Sequence, residues 1–217
     1  MKTRVLAKLA LIAAAGAAQA HAQTPSRFEA GKHYAVLATE ELPSTPRDKV
    51  EVAEIFMFGC PGCFAFEPHI QRWLATKPAY VQFVRIPAPW NPLAVLHARA
   101  YFAAAALGKA QEIDGPFFEQ IHVEGNPLDS EAKIAELFAA YGVDGETFEA
   151  AFNSPAVTAA LARAEELVRL YGVQSTPTVV VNGKYLATGP MAGSYTTWLA
   201  IVDELAAREH ESRSPSD

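Results

Sequence analysis

Cysteine is all but missing from this chain: only Cys60 and Cys63 occur among 217 residues. Two sulfurs leave a tetrahedral metal ion half-ligated, and no histidine stands at a helpful spacing beside them, which argues against a metal-carrying module. Positive charge is also short, with 18 Lys and Arg against 24 Asp and Glu. Such a balance offers no surface for phosphates, so nucleic acid is not expected as a partner. Long apolar runs are absent too: residues 9–18 form an apolar stretch well under the roughly 20 needed to span a bilayer. Internal repeats and low-complexity tracts are lacking.

What is present begins with an export signature. Lys2, Arg4 and Lys8 make a basic start, residues 9–18 an apolar centre, and Ala20-His21-Ala22 a small-x-small site. The pattern predicts a signal peptide over residues 1–22, cleaved before Gln23, and hence a periplasmic protein. No cysteine follows the apolar segment to carry a lipid. Cleavage leaves 195 residues with 15 basic and 24 acidic side chains, a net charge of −9. That length suits one or two units sharing a core. An exported protein lives where disulfides persist, so a lone cysteine pair could be a structural bridge. A two-residue gap, however, closes too small a loop to constrain the unfolded chain. Spacing and position point to a redox centre instead.

That position is a strand–helix junction. Val50-Glu51-Val52-Ala53-Glu54-Ile55-Phe56-Met57-Phe58 has the branched and aromatic content of a buried strand. Beyond Cys63, Ile70, Trp73 and Leu74 recur at helical spacing. Cys60 thus falls at a helix N-terminus, where unpaired N–H groups and the macrodipole favour an anion such as a thiolate.

Elsewhere, residues 28–37 predict a first strand, Pro43 and Pro46 a loop, and residues 81–86 another strand. Pro87, Pro89 and Pro92 break the chain. Helical periodicity then runs to about Gly172. Leu93, Leu96, Ala100, Ala103 and Leu107 form one face, ended by Gly108. Pro116-Phe117-Phe118 with Ile121 suggests a short helix, and Ile134, Leu137, Phe138 and Tyr141 another face, stopped by Gly142. Asp144 caps a helix around Phe148 and Phe152. Ser154-Pro155 opens a long one presenting Val157, Leu161, Ala164, Val168 and Tyr171. These faces read as core. Strand signals return at residues 178–181, Asn182-Gly183 makes a hairpin turn, and residues 184–187 pair back. A final helix follows Ser194 with Trp198, Ile201, Val202 and Leu205, and residues 210–217 are expected as a flexible tail.

A CxxC at such a junction, with Thr176-Pro177 before a late hairpin, resembles the thioredoxin superfamily. The helical block between the halves narrows the resemblance to DsbA-type periplasmic thiol:disulfide oxidoreductases. Gly31-Lys32-His33-Tyr34, Glu54 six residues before Cys60, Phe64-Ala65-Phe66-Glu67-Pro68 and Val181-Asn182-Gly183-Lys184-Tyr185 support it along the mature chain. The resemblance implies an α/β fold, a thioredoxin fold with an inserted α-helical domain. Its parts would be residues 23–88 and 161–209 for the thioredoxin-like domain and 89–160 for the insert.

The resemblance also implies the chemistry. Cys60 would be the exposed nucleophile, Cys63 its buried partner, and Cys60–Cys63 the redox-active disulfide. Pro61, Gly62, Thr176 and Pro177 would meet the substrate. On sequence alone Pro177 is balanced between an ordinary strand-entry proline and a cis proline; the resemblance implies cis. Glu54, charged within an apolar strand, would assist proton transfer at Cys63, the alternative being a solvent-facing edge residue. Glu67 and His69 receive no catalytic role. The implied activity is introduction of disulfides into reduced exported polypeptides, with a DsbB-type quinone-linked membrane oxidase as partner, no metal or organic cofactor, and a monomeric state. A disulfide isomerase or reductase of related fold is the alternative. Two departures stand out. Gly62 replaces a histidine that stabilises the nucleophile's thiolate, predicting a milder oxidant, and Thr176 replaces the oxidases' usual valine, threonine being more typical of isomerases.

Overall fold

A computed structural model of the chain describes residues 26–39, 45–46 and 48–213. The predicted signal peptide lies outside the described residues. β1 (Ala35–Val36), β2 (Val50–Phe56), β3 (Val81–Pro87), β4 (Thr178–Val181) and β5 (Tyr185–Thr188) form one sheet in the order β1-β5-β4-β2-β3. β2 runs parallel to β3 and antiparallel to β4. The parallel pair is bridged by α1 (Pro61–Leu74), as a crossover requires. Every residue of the interior strand β2 is buried, because the sheet is covered on both faces.

Between β3 and β4 lie α2 (Pro92–Ala106), α3 (Ala110–His122), α4 (Glu131–Ala140), α5 (Gly145–Phe152) and α6 (Pro155–Leu170). Their starts follow the side-chain chemistry. Asn91, Ser130, Asp144 and Ser154 each accept a hydrogen bond from the backbone three residues on, and proline fills the first position of α2 and α6. After β5 come α7 (Gly189–Ala192) and α8 (Tyr195–Arg213).

Three apolar clusters hold these parts together. One joins Phe56 and Phe58 to Phe117, Phe118, Phe138 and Phe148 of the helical block. A second packs Val50, Val52, Val179 and Val181 against Phe66, Ile70, Trp198 and Ile201 of α1 and α8. The third sets Ala53, Ile55 and Val180 on the other sheet face against Ala164, Val168 and Tyr171. α6 therefore crosses the boundary placed between residues 160 and 161: Val157 belongs to the helical cluster, Ala164 and Val168 to the sheet's.

Two expectations need correction. The first strand is only Ala35–Val36, since Gly31 at φ +82 bends the preceding residues into a turn closed by Gly31 N–H to Tyr34 O. The C-terminal segment from His210 is helical to Arg213. His210 stacks on Tyr80 with centroids 4.0 Å apart, and Arg213 donates to Lys49 O and Asn182 Oδ1. The short helix α7 had no expectation. Asn182 and Gly183, at φ +55 and +68, make the predicted hairpin turn.

Candidate active site

β2 delivers Cys60 to the start of α1 as its cap residue, in extended conformation, with Pro61 in the first turn. The cap is a sulfur in place of the usual hydroxyl or carboxylate: Cys60 Sγ accepts from Cys63 N–H at 3.4 Å. Cys60 is half-buried and Cys63 fully buried. The Cys60 thiol is pushed down from its ordinary 9.0 to about 5. The largest cause is a hydrogen bond from the Cys63 thiol, followed, against a desolvation penalty, by the Thr176 side chain and the Cys63 and Gly62 backbone N–H groups. The Thr176 carbonyl oxygen lies 3.3 Å from Cys60 Sγ, where it accepts only from the protonated thiol; the donors outweigh it. Cys63 moves the opposite way, raised by its bond to Cys60 and by burial. One sulfur is an anion at neutral pH and the other a thiol.

Because the Cys60 shift is downward, its stabilisation of the reduced fold is present at alkaline pH and lost as pH falls through about 5. Ultraviolet titration of the reduced protein should show one thiolate appearing with a midpoint near pH 5. A midpoint above about pH 8, that of an ordinary thiol, would refute this electrostatic account.

Pro177 faces the pair, and the Thr176–Pro177 bond is cis. A Cβ at Gly62 would meet Pro177 Cδ at 3.1 Å and Cys60 Sγ at 3.7 Å. Gly62 thus lets the proline loop sit close over the sulfurs, besides leaving Cys60 without a charged neighbour at that position. Pro61, Gly62, Thr176 and Pro177 are brought together around Cys60.

Glu54 is 1% exposed, so the solvent-facing alternative does not hold. It lies opposite Arg85 in the parallel β2–β3 register. Arg85 Nε donates to Glu54 Oε2 at 2.9 Å, Nη1 to Asp114 Oδ2 at 3.3 Å, and Nη2 to Glu67 Oε2. One guanidinium therefore serves three carboxyls, from β2, α1 and α3. The Glu54 carboxyl is raised by burial, with Arg85 opposing and Glu67 and Cys60 adding. The Cys63 thiol in turn is raised partly by the charge on Glu54, so the two groups share one electrostatic environment.

Arg85, Asp114 and the bond from Arg85 to the half-buried Glu67 were missed from sequence. Arg85 carried a signal, being the one charge in a mostly apolar strand, which could have been paired with Glu54. Asp114, between Ile113 and Gly115, carried none. His69 holds no place among the sulfurs; its Nδ1 meets Arg72 Nη2 at 3.1 Å and its ring lies against Tyr195.

The chain is similar to known proteins over most of its length. A family profile described as a DSBA-like thioredoxin domain matches residues 93–194, the helical block and the Thr176-Pro177 hairpin region, starting beyond the cysteines. The thiol:disulfide interchange protein DsbA of Pseudomonas aeruginosa is 36% identical over 182 residues, covering 84% of this chain and 86% of that one. Its counterpart in Azotobacter vinelandii is 32% identical over 195 residues, covering 90% and 91%. The crystal structure of the Pseudomonas aeruginosa protein matches with a TM-score of 0.80 at 36% identity, over 85% of this chain and 96% of that one. The oxidoreductase DsbA of Xylella fastidiosa gives 0.78 at 33% identity, over 84% and 98%.

Proposed function

Because the chain belongs to the DsbA family of thiol:disulfide interchange proteins, we propose that Cys60 and Cys63 form its exchanging disulfide, with Cys60 the sulfur that substrate attacks. The enzyme is a thiol:disulfide oxidoreductase of thioredoxin fold. A substrate thiolate displaces Cys63 from Cys60, forming a mixed disulfide at Cys60. Cys63 leaves as a thiolate and takes up a proton, which Glu54 supplies. A second substrate thiolate then attacks the substrate sulfur of the mixed disulfide and releases Cys60 as a thiolate. Two electrons pass from substrate to enzyme, and one disulfide is exchanged for another.

The direction rests on a single observation, the depressed Cys60 thiol at the head of α1. Whatever stabilises that thiolate stabilises the reduced enzyme and makes its disulfide a stronger oxidant. A value of about 5 falls between those of thioredoxin, about 7, and the family's namesake, about 3.5. That ordering fits a centre milder than the histidine-bearing form. The Thr176 backbone, beside Cys60, offers an extended substrate peptide main-chain pairing. The working compartment is the periplasm, reached with residues 1–22 removed; substrates are reduced exported polypeptides, and a DsbB-type quinone-linked membrane protein restores the disulfide of a monomeric enzyme.

Equilibration in glutathione buffers tests the direction. The expected midpoint is more oxidising than about −200 mV, above the glutaredoxin range. A value near the roughly −270 mV of thioredoxin would assign the protein to reduction or isomerisation, the reading to which Thr176 also lends itself, and leave the family intact.

A further inference from the structure

The Arg85 cluster sits where the sheet's core meets that of the inserted helices. On the α1-facing side of β2, Val52 belongs to the sheet cluster and Phe56 to the helical one, with Glu54 between them. The guanidinium is enclosed by the rings of Phe56 and Phe83, whose centroids lie 5.6 and 5.7 Å away. Three carboxyls converge on this one cation, two of them, Glu54 and Asp114, buried, so full ionisation would leave two negative charges uncompensated in a largely buried site. At least one carboxyl must therefore hold a proton near neutrality.

The three are not equally held. Glu54 has the 2.9 Å bond to Nε, whereas Asp114 has the longer 3.3 Å bond to Nη1. Its other oxygen, Oδ1, is buried with no hydrogen-bond partner. An orphaned, buried carboxylate oxygen is costly as an anion, and a proton on that carboxyl removes much of the cost. The titratable and charged groups facing Asp114 are Arg85 on β3, Glu54 on β2, Glu67 on α1 and Tyr101 on α2. Only Arg85 is a cation. Consistently, burial pushes the Asp114 carboxyl up to about 7, with Glu67 and Glu54 adding and Arg85 opposing.

We propose that Asp114, supplied by the inserted helical block, is a positioning residue for thiol exchange: it competes with Glu54 for the Arg85 guanidinium and so governs which carboxyl holds the proton destined for Cys63. The inference rests on the role given to Glu54 above. With Asp114 ionised, Glu54 retains its proton to higher pH and can deliver it when Cys63 leaves. With Asp114 neutral, Arg85 is left to Glu54 and Glu67, and Glu54 gives up its proton more readily. A helix outside the thioredoxin framework thereby reaches the redox step through a single side chain.

The test is the rate of reduction of the oxidised protein by dithiothreitol as a function of pH, normalised to reductant thiolate. The wild-type rate should fall at high pH along a limb set by Glu54. Asp114→Asn, which keeps the shape and removes the charge, should move that limb down by about one pH unit. It should leave the Cys60 ultraviolet titration unmoved. In a Glu54→Gln background the limb should be absent, and adding Asp114→Asn should change nothing further. A limb that Asp114→Asn leaves in place while Glu54→Gln abolishes it overturns this inference alone. A limb that survives Glu54→Gln overturns the Glu54 assignment and this inference with it. Carbon-13 titration of labelled aspartate carboxyls in the wild-type protein needs no variant: one aspartate should titrate near neutrality, and all of them titrating below pH 5 would overturn the inference.

Discussion

Cys60→Ser should abolish oxidation of a reduced two-cysteine peptide, lowering the rate by about four orders of magnitude or more, because a serine hydroxyl cannot form the mixed disulfide. Cys63→Ser should behave differently. It too should fail to oxidise the reduced peptide, having no disulfide to offer, but its Cys60 thiolate can attack a peptide disulfide, releasing one peptide thiolate. With no Cys63 sulfur to displace the bound half, the mixed disulfide should persist and be visible on a non-reducing gel. The structure adds a finer distinction between the two ways of removing Cys63. Its thiol is the largest single influence holding the Cys60 thiol near 5. Serine keeps a donor at that place and alanine does not, so Cys63→Ala should raise the Cys60 midpoint further than Cys63→Ser. Activity above a tenth of wild type in Cys60→Ser would remove this sulfur from the chemistry.

The second large effect is on stability. Arg85→Met should cost about 3–5 kcal/mol at neutral pH, because it strips the shared cation from three carboxyls, two of which, Glu54 and Asp114, are buried. Methionine fills the stem's space, so the loss is chiefly electrostatic. The pH dependence follows from the direction of the shifts. Glu54 is raised by burial, and Asp114 is raised to about 7 from an ordinary 3.8. A carboxyl raised in the folded state binds its proton there first, so the fold gains stability as pH falls from about 7 towards 4. The penalty in Arg85→Met should therefore be smaller at pH 5 than at pH 8. Denaturant unfolding of the oxidised protein is the proper measurement, since the Cys60 thiolate of the reduced form contributes a term of opposite sign. An equal loss at both pH values would mean that the carboxyls are not carrying the cost.

Legibility from sequence divided along physical lines. The helices of the block were readable because each carries its own apolar period and all but α3 a side-chain cap: Asp144 and Ser154 cap where expected, and Phe148, Val157 and Val168 are buried as their spacing demanded. Cys60 and Cys63 were readable because cap position and spacing are local. The first strand was overextended because Phe28 and Tyr34 are buried from a turn, which alternation cannot distinguish from a strand end. The C-terminal turns of α8 were missed because their support is distant: Arg213 is held by Lys49 and Asn182. Asp114 was illegible for the same reason on a larger scale. Its partner lies 29 residues away across a connection whose path only the fold reveals.

α6 has a consequence for how this enzyme meets its clients. It is one unbroken rod of 16 residues whose only proline is at its first position, with no glycine inside. Kinks arise at just such residues, so the rod lacks a place to flex. One end is wedged among phenylalanines of the helical block and the other lies across the back of the sheet. α6 thus ties the helical block to the sheet through one continuous element. With that strut in place, a substrate polypeptide is expected to adapt to the enzyme more than the enzyme to it.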